Sequence, residues 1–112
     1  MQDCLFCKIV GGDIPSNKVY EDDVVYAFTD VDPKAPVHVL IVPKAHMQDM
    51  MDARAPKVSA AMFDAARRIA QQMGFADGGF RCVINTGQDG GQTVPHLHMH
   101  LLAGRALGWP PG

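Results

Sequence analysis

At 112 residues the chain is the size of one domain, and its 47% apolar and 20% charged residues are those of an ordinary soluble globular protein. The net charge of −2 argues against nucleic-acid binding by bulk electrostatics, which needs a basic patch or stripe. No apolar run approaches the ~20 residues that span a bilayer, the opening Met1-Gln2-Asp3-Cys4 lacks a leader's basic-then-apolar pattern, and an odd number of cysteines, three, fits a reducing compartment; the expected home is the cytoplasm, with no membrane partner.

In chain order, residues 3–10 read as a short helix opening at Asp3 and ended by Gly11-Gly12. Ile14-Pro15 follow in extended form. Lys18 to Glu21 and Val24 to Thr29 read as a hairpin turning near Glu21-Asp22-Asp23. Val37 to Val42 is a β-prone run between Pro36 and Pro43, with His38, Leu40 and Val42 on one face and Val37, Val39 and Ile41 on the other. Residues 55–73 carry Val58, Ala61, Met62, Ala65, Ile69 and Met73 at three- and four-residue steps, which is one helical stripe. Pro56 suits its first turn and Gly74 its C-terminal cap. Phe80 to Asn85 reads as a strand holding Cys82, a lone cysteine expected as a small buried hydrophobe. A polar, glycine-rich loop spans Thr86 to Thr93, and a histidine-bearing strand follows. Strands in sequence with short connections favour antiparallel pairing. The expectation is an α+β domain with a mostly antiparallel sheet.

His96, His98 and His100 alternate with Leu97 and Met99. On a strand this spacing lines three imidazoles along one side. Three readings are open: a half-buried strand with incidental histidines, a catalytic zinc site, or a nucleophilic histidine with histidine helpers. The preceding glycines would let backbone N–H groups turn toward an anion, with Thr93 as a further donor and Asn85 nearby. His38 lies in an apolar strand, where a lone histidine is usually a satisfied core residue; a second histidine cluster weakens that reading. Cys4-x-x-Cys7 needs two more ligands for a closed zinc site, and His46 and His96 are unassigned. The redox alternative lacks a β-α-β context.

Together these residues resemble the histidine triad (HIT) superfamily, whose signature His-φ-His-φ-His-φ-φ is matched by His96 to Leu102. Cys4 to Val10 and Phe28-Thr29-Asp30-Val31 resemble bacterial members, and the run from His38 to His46 is also characteristic. Gly104-Arg105 through Trp109-Pro110-Pro111-Gly112 is similar to the Hint branch rather than the Fhit branch. The resemblance covers almost the whole chain. It implies a five-stranded antiparallel sheet with one long and one short helix, paired as a homodimer. It implies hydrolysis of purine nucleoside monophosphate derivatives, chiefly AMP-amine phosphoramidates, with aminoacyl adenylates related. His98 then matches the nucleophile, and His100 and His38 the histidines around the α-phosphate. Asn85, Gly91 and Thr93 match phosphate-side contacts, and Asp30 matches the ribose-binding carboxylate. Leu5, Phe6, Ile14, Val31 and Leu40 match apolar positions around the base. A structural zinc is implied on Cys4, Cys7, His46 and His96, a feature of some members. Pro95 departs from the aromatic residue frequent in the eukaryotic branch, which touches local pocket shape.

The implied mechanism is attack by neutral His98 on the α-phosphorus, giving a nucleotidyl-histidine that water then hydrolyses, with no metal required. A backbone carbonyl near His96 would fix the tautomer. His96 itself leaves the active site for the zinc, helped by a bend at Pro95. Trp109 is expected to reach across the dimer. The alternatives are a dinucleoside polyphosphate hydrolase and a nucleotide-binding partner protein with little turnover.

Overall fold

A computed structural model describes residues 3–112; Met1 and Gln2, part of the stretch read for a leader, lie outside them. The elements are α1 (Leu5–Val10), β1 (Lys18–Glu21), β2 (Val25–Thr29), β3 (Val37–Pro43), α2 (Ala55–Met73), β4 (Arg81–Val83), α3 (Gly87–Gly90) and β5 (Met99–Ala103). The five strands form one antiparallel sheet in the order β1-β2-β3-β5-β4. This is the expected α+β architecture with a five-stranded sheet, one long helix and a short one, joined by the single turn α3. Among the described residues no helix is long and apolar enough to cross a membrane.

The two faces of β3 do different work. Val39 and Ile41 point into the larger core, where α2 brings Val58, Met62, Ala65 and Ile69 against Val25, Ala27, Met99 and Leu101. Leu40 and Val42 point the other way, into a smaller core with Phe6 and Ile9 of α1 and Phe28 of β2. The sheet is therefore covered on both sides, and the face on α1 also carries His38 and His100. In the β3–β5 register Leu40 lies opposite His100, and His38 opposite Leu102.

Local chemistry explains where element ends depart from expectation. The first helix opens at Cys4 rather than Asp3, because the Cys4 sulfur accepts the Cys7 N–H at 3.4 Å. Val24 belongs to the turn, since Asp22 Oδ1 accepts both the Val24 and Val25 N–H at 2.8 Å. α2 spans the expected residues; Gly74 takes φ 81° and donates to the Ala70 carbonyl. The glycine loop closes one helical turn as α3. β5 begins at Met99, not His96: Leu97 N–H goes to the Met47 carbonyl at 2.7 Å, away from the sheet ladder. Only His100 of the three histidines is in the strand. β4 is three residues long and forms the sheet edge. Cys82 on it is exposed rather than buried, because α2 packs on β1, β2 and β3 and leaves this edge uncovered.

Ile69 is fully buried between α2 and the sheet. Ile69→Ala should cost about 2–5 kcal/mol of unfolding free energy in a urea titration. A loss under about 1 kcal/mol would show that this packing does not hold the helix to the sheet.

Candidate active site and metal centre

On the α1 face, a cavity of about 910 Å³ opens between α1, the segment after it, β2 and the start of β5. Leu5, Phe6, Ile14, Val31 and Leu40 line it, as do Asp30, Thr93, His98 and His100. These nine sequence-expected residues come together from five separate stretches of chain. The lining also includes Ile9 and Phe28, which lie inside the matched runs Cys4 to Val10 and Phe28 to Val31 without a base-pocket role of their own in the sequence reading. Ile9 lies one helical step beyond Phe6, and Phe28 lies two strand positions before Asp30, so periodicity held the signal for both. Ser16 also lines the cavity, its hydroxyl 2.8 Å from Tyr26 Oη; no motif marked it.

His38, Asn85 and Gly91 are not among the lining residues; His38 meets the cavity through His100. Gly91 sits at φ 79°, and its N–H is already bonded to the Gln88 carbonyl at 3.0 Å. Gln92 braces this loop, accepting the Gly87 N–H and donating to the Gln48 and Val94 carbonyls. Trp109 is exposed, with Arg81 over its ring.

The protons on the histidines can be assigned from their partners. His98 is buried, and its Nδ1 lies 2.7 Å from the His96 carbonyl oxygen. A carbonyl only accepts, so Nδ1 carries the hydrogen and Nε2 keeps a free lone pair. His38 Nδ1 receives the Lys34 N–H at 3.0 Å, so its hydrogen is on Nε2. That Nε2 lies 2.9 Å from His100 Nδ1 and 3.5 Å from Asp30 Oδ2. The shorter contact takes the hydrogen, and His100 is left with its own hydrogen on Nε2. The chain therefore runs Lys34 N–H to His38, His38 to His100, and His100 Nε2–H outward. Asp30, His38 and His100 also present three ligand-type atoms within 4.8 Å of one another. A cation on His38 Nε2 would force a hydrogen onto Nδ1, against the Lys34 N–H, so the hydrogen bonds present run against a cation in this cluster.

Burial sets the charge of these rings. It pushes His38 down, with the Asp30 carboxylate pulling partly back. Burial, then His98 and His38, pushes His100 down to about 4. Neutral rings are what the hydrogen-bond chain requires.

A second cluster lies behind His98. Cys4, Cys7, His46 and His96 place their ligand atoms within 4.8 Å of one another. The sulfur–nitrogen separations are 3.3 Å for Cys4–His96, 3.3 Å for Cys7–His46 and 3.5 Å for Cys7–His96. Tetrahedral zinc with ordinary Zn–S and Zn–N bonds needs sulfur and nitrogen about 3.5 Å apart. His96 is wholly buried and donates from Nε2 to the Pro43 carbonyl at 2.8 Å, leaving Nδ1 bare toward the sulfurs. An outer carbonyl of this kind orients a ligating histidine. The donor set and its geometry thus fit a closed zinc site. The three histidines do not share one task, as alternation alone would have it: the His96 ring faces the cysteines, and His98 and His100 face the cavity. Phe6 stands edge-on to both His96 and His98, with centroids at 5.9 and 5.1 Å.

The family model described as HIT domain matches residues 11–107. A purine nucleoside phosphoramidase of Escherichia coli (strain K12) is 45% identical over 109 residues, covering 96% of this chain and 92% of the relative. A 14 kDa zinc-binding protein of Brassica juncea is 44% identical over 114 residues, covering 98% and 100%. The crystal structure of a HIT family hydrolase from Legionella pneumophila Philadelphia 1 superposes with a TM-score of 0.93 at 44% identity, covering 98% and 100% of the two chains.

The His100 assignment predicts a titration. An unfolded chain protonates this ring near pH 6.5, about its ordinary value; the folded protein does so only near 4. Acid therefore favours unfolding across that window. In ¹⁵N-resolved NMR, His100 should remain neutral with hydrogen on Nε2 at pH 5.5. A charged ring at that pH would refute the assignment.

Proposed function

Because the chain belongs to the HIT domain family, we propose that it is a nucleotide-binding hydrolase that cleaves purine nucleoside phosphoramidates of the AMP-amine type, with aminoacyl adenylates as related substrates. One observation carries this reading: the His98 Nδ1–H bond to the His96 carbonyl, which leaves a bare Nε2 on a ring that lines the cavity. The phosphoramidase relative, similar over nearly the whole chain, supports the substrate class.

Base, ribose and phosphate then have separate places. Leu5, Phe6, Ile14, Val31 and Leu40, with Phe28, form an apolar slot for a purine. Asp30 accepts from the ribose hydroxyls, which favours ribonucleotides. Its Oδ1 also takes the Asp32 N–H at 2.8 Å, which holds the carboxylate in place. Thr93 and His100 donate to the phosphoryl oxygens, and His38 keeps the hydrogen on the outer nitrogen of His100.

In the first step the His98 Nε2 lone pair forms a bond to the α-phosphorus as the P–N bond to the amine breaks. The amine leaves with that bonding pair and takes up a proton. The nucleotidyl-histidine formed is cationic on its ring, and its Nδ1–H bond to the His96 carbonyl becomes charge-assisted. In the second step water attacks phosphorus, releases the nucleoside monophosphate and gives up a proton. His98 returns to the neutral, Nδ1–H form. Covalent catalysis divides one hard displacement into two easier ones, and donors fixed in advance stabilise the charge that develops on oxygen.

Cys4, Cys7, His46 and His96 are proposed to hold a structural zinc, which would tie α1 to the segment before β5 and takes no part in the steps above. The fit of the donor set and the zinc-binding relative support this. The same reading includes a homodimer, for which β4 offers an unpaired sheet edge beside exposed Phe80 and Trp109.

His98→Ala should abolish hydrolysis of an adenosine phosphoramidate, at least 10³-fold by analogy with loss of other covalent nucleophiles, while AMP binding stays measurable by calorimetry. Turnover like the wild type would overturn the nucleophile. Wild-type protein should prefer the phosphoramidate to a diadenosine polyphosphate; the reverse preference would favour the dinucleoside polyphosphate reading, and turnover of neither the partner-protein reading. Protein purified without chelator should carry about one zinc per chain, and Cys4→Ser should lower its melting temperature. Metal-free protein with an unchanged melting temperature would refute the zinc.

A further inference from the structure

The segment from Asp30 to Pro36 contains no helix or strand, yet it supplies two critical groups: the Asp30 carboxylate and the Lys34 N–H that sets the His38 tautomer. Most bonds that order it are local. Asp32 N–H goes to Asp30 Oδ1, and Lys34 Nζ goes to the Asp32 carboxylate at 2.6 Å and the Asp32 carbonyl at 2.9 Å. Among the described residues, two side chains reach it from outside: His38, whose Nε2 lies 3.5 Å from Asp30 Oδ2, and Arg105, whose Nη2 donates to the Lys34 carbonyl at 2.9 Å. Arg105 Nη1 also donates to the Ala106 carbonyl at 3.0 Å, which ties the guanidinium to its own backbone. The preceding residue makes the approach possible. Gly104 takes φ +97°, and a Cβ there would fall 2.7 Å from Pro36 Cβ and 3.2 Å from Pro36 Cγ. The chain leaving β5 thus lies directly on Pro36, where only glycine fits.

We propose that Arg105 is a positioning residue for hydrolysis: by holding the Lys34 carbonyl it keeps the Lys34 N–H on His38 Nδ1, and so keeps a hydrogen on the nitrogen of His38 that faces His100. The Lys34 N–H and C=O flank the same Cα, two dihedrals apart, so holding the carbonyl limits how far the N–H can swing from His38. With that donor displaced, His38 is free to carry its hydrogen on either nitrogen. In the Nδ1–H form it no longer donates to His100 Nδ1, and the hydrogen on the outer nitrogen of His100 is no longer enforced. Asp30 is anchored separately, by its N–H to the His38 carbonyl at 2.9 Å. Loss of Arg105 should therefore act on turnover more than on nucleotide binding.

The inference rests on the hydrolase reading above, and its test has a readout that needs no turnover. In ¹⁵N NMR at neutral pH, wild-type His38 should be a single Nε2–H tautomer. R105A should shift the His38 ¹⁵N resonances toward a tautomer mixture. Its kcat for an adenosine phosphoramidate should fall about tenfold, a fraction of what a positioned proton donor contributes, with KM changed less than about twofold. R105K, which keeps one donor, should lie between the two in both measurements. Unchanged His38 resonances in R105A overturn the proposal, whatever happens to kcat. If wild-type protein hydrolyses no phosphoramidate, the hydrolase reading fails, while the tautomer shift still decides whether Arg105 controls His38.

Discussion

The site depends on what His96 does with its two ends. Its ring is wholly buried, bare on Nδ1 toward two sulfurs and bonded through Nε2 to the Pro43 carbonyl. Its own carbonyl takes the Nδ1–H of His98. One residue therefore fixes the proposed metal centre and the tautomer of the proposed nucleophile. A buried imidazole without partners would be costly; here each polar atom is spoken for, and the satisfied network leaves the peptide little freedom to turn. Phe6, edge-on to both rings, fills the space between them.

The sheet supplies the rigid ground for this arrangement. β3 and β5 are central strands, and their parity sends Val39, Ile41, Met99 and Leu101 to α2 while His38, Leu40 and His100 face α1. A slip of one residue would exchange the two sets, so the same burial that stabilises the domain also aims the histidines. Enclosure has an electrostatic effect as well. Burial is the largest cause holding His38 and His100 in their neutral forms. Neutral rings can pass hydrogen-bond direction from the Lys34 amide outward, where charged ones would repel each other at 2.9 Å.

Much of this is legible in the sequence alone. Period-3.6 spacing placed α2 to the residue, and the two faces of β3 followed from alternation alone. Nine expected site residues share the cavity. What was misplaced has a common cause, since alternation cannot report which partner a segment will choose. Residues 96–98 continue an alternating pattern, yet the Leu97 amide bonds to the Met47 carbonyl instead of a neighbouring strand. Cys82 sits in an apolar run, but α2 packs mainly on β1, β2 and β3 and leaves it exposed on the edge strand.

The sequence by itself determined which chemistry was available: alternating imidazoles, a cysteine pair with two histidines to spare, and an aspartate beside an apolar strand. Those are properties of residue type and spacing, and they need no knowledge of contacts. Only the tertiary structure decided how the imidazoles were divided. A ring's tautomer is set by whichever carbonyl or N–H meets it, and those groups come from Pro43, Lys34 and the His96 peptide. Two of the three lie more than fifty residues in sequence from the triad, so no local pattern could announce them.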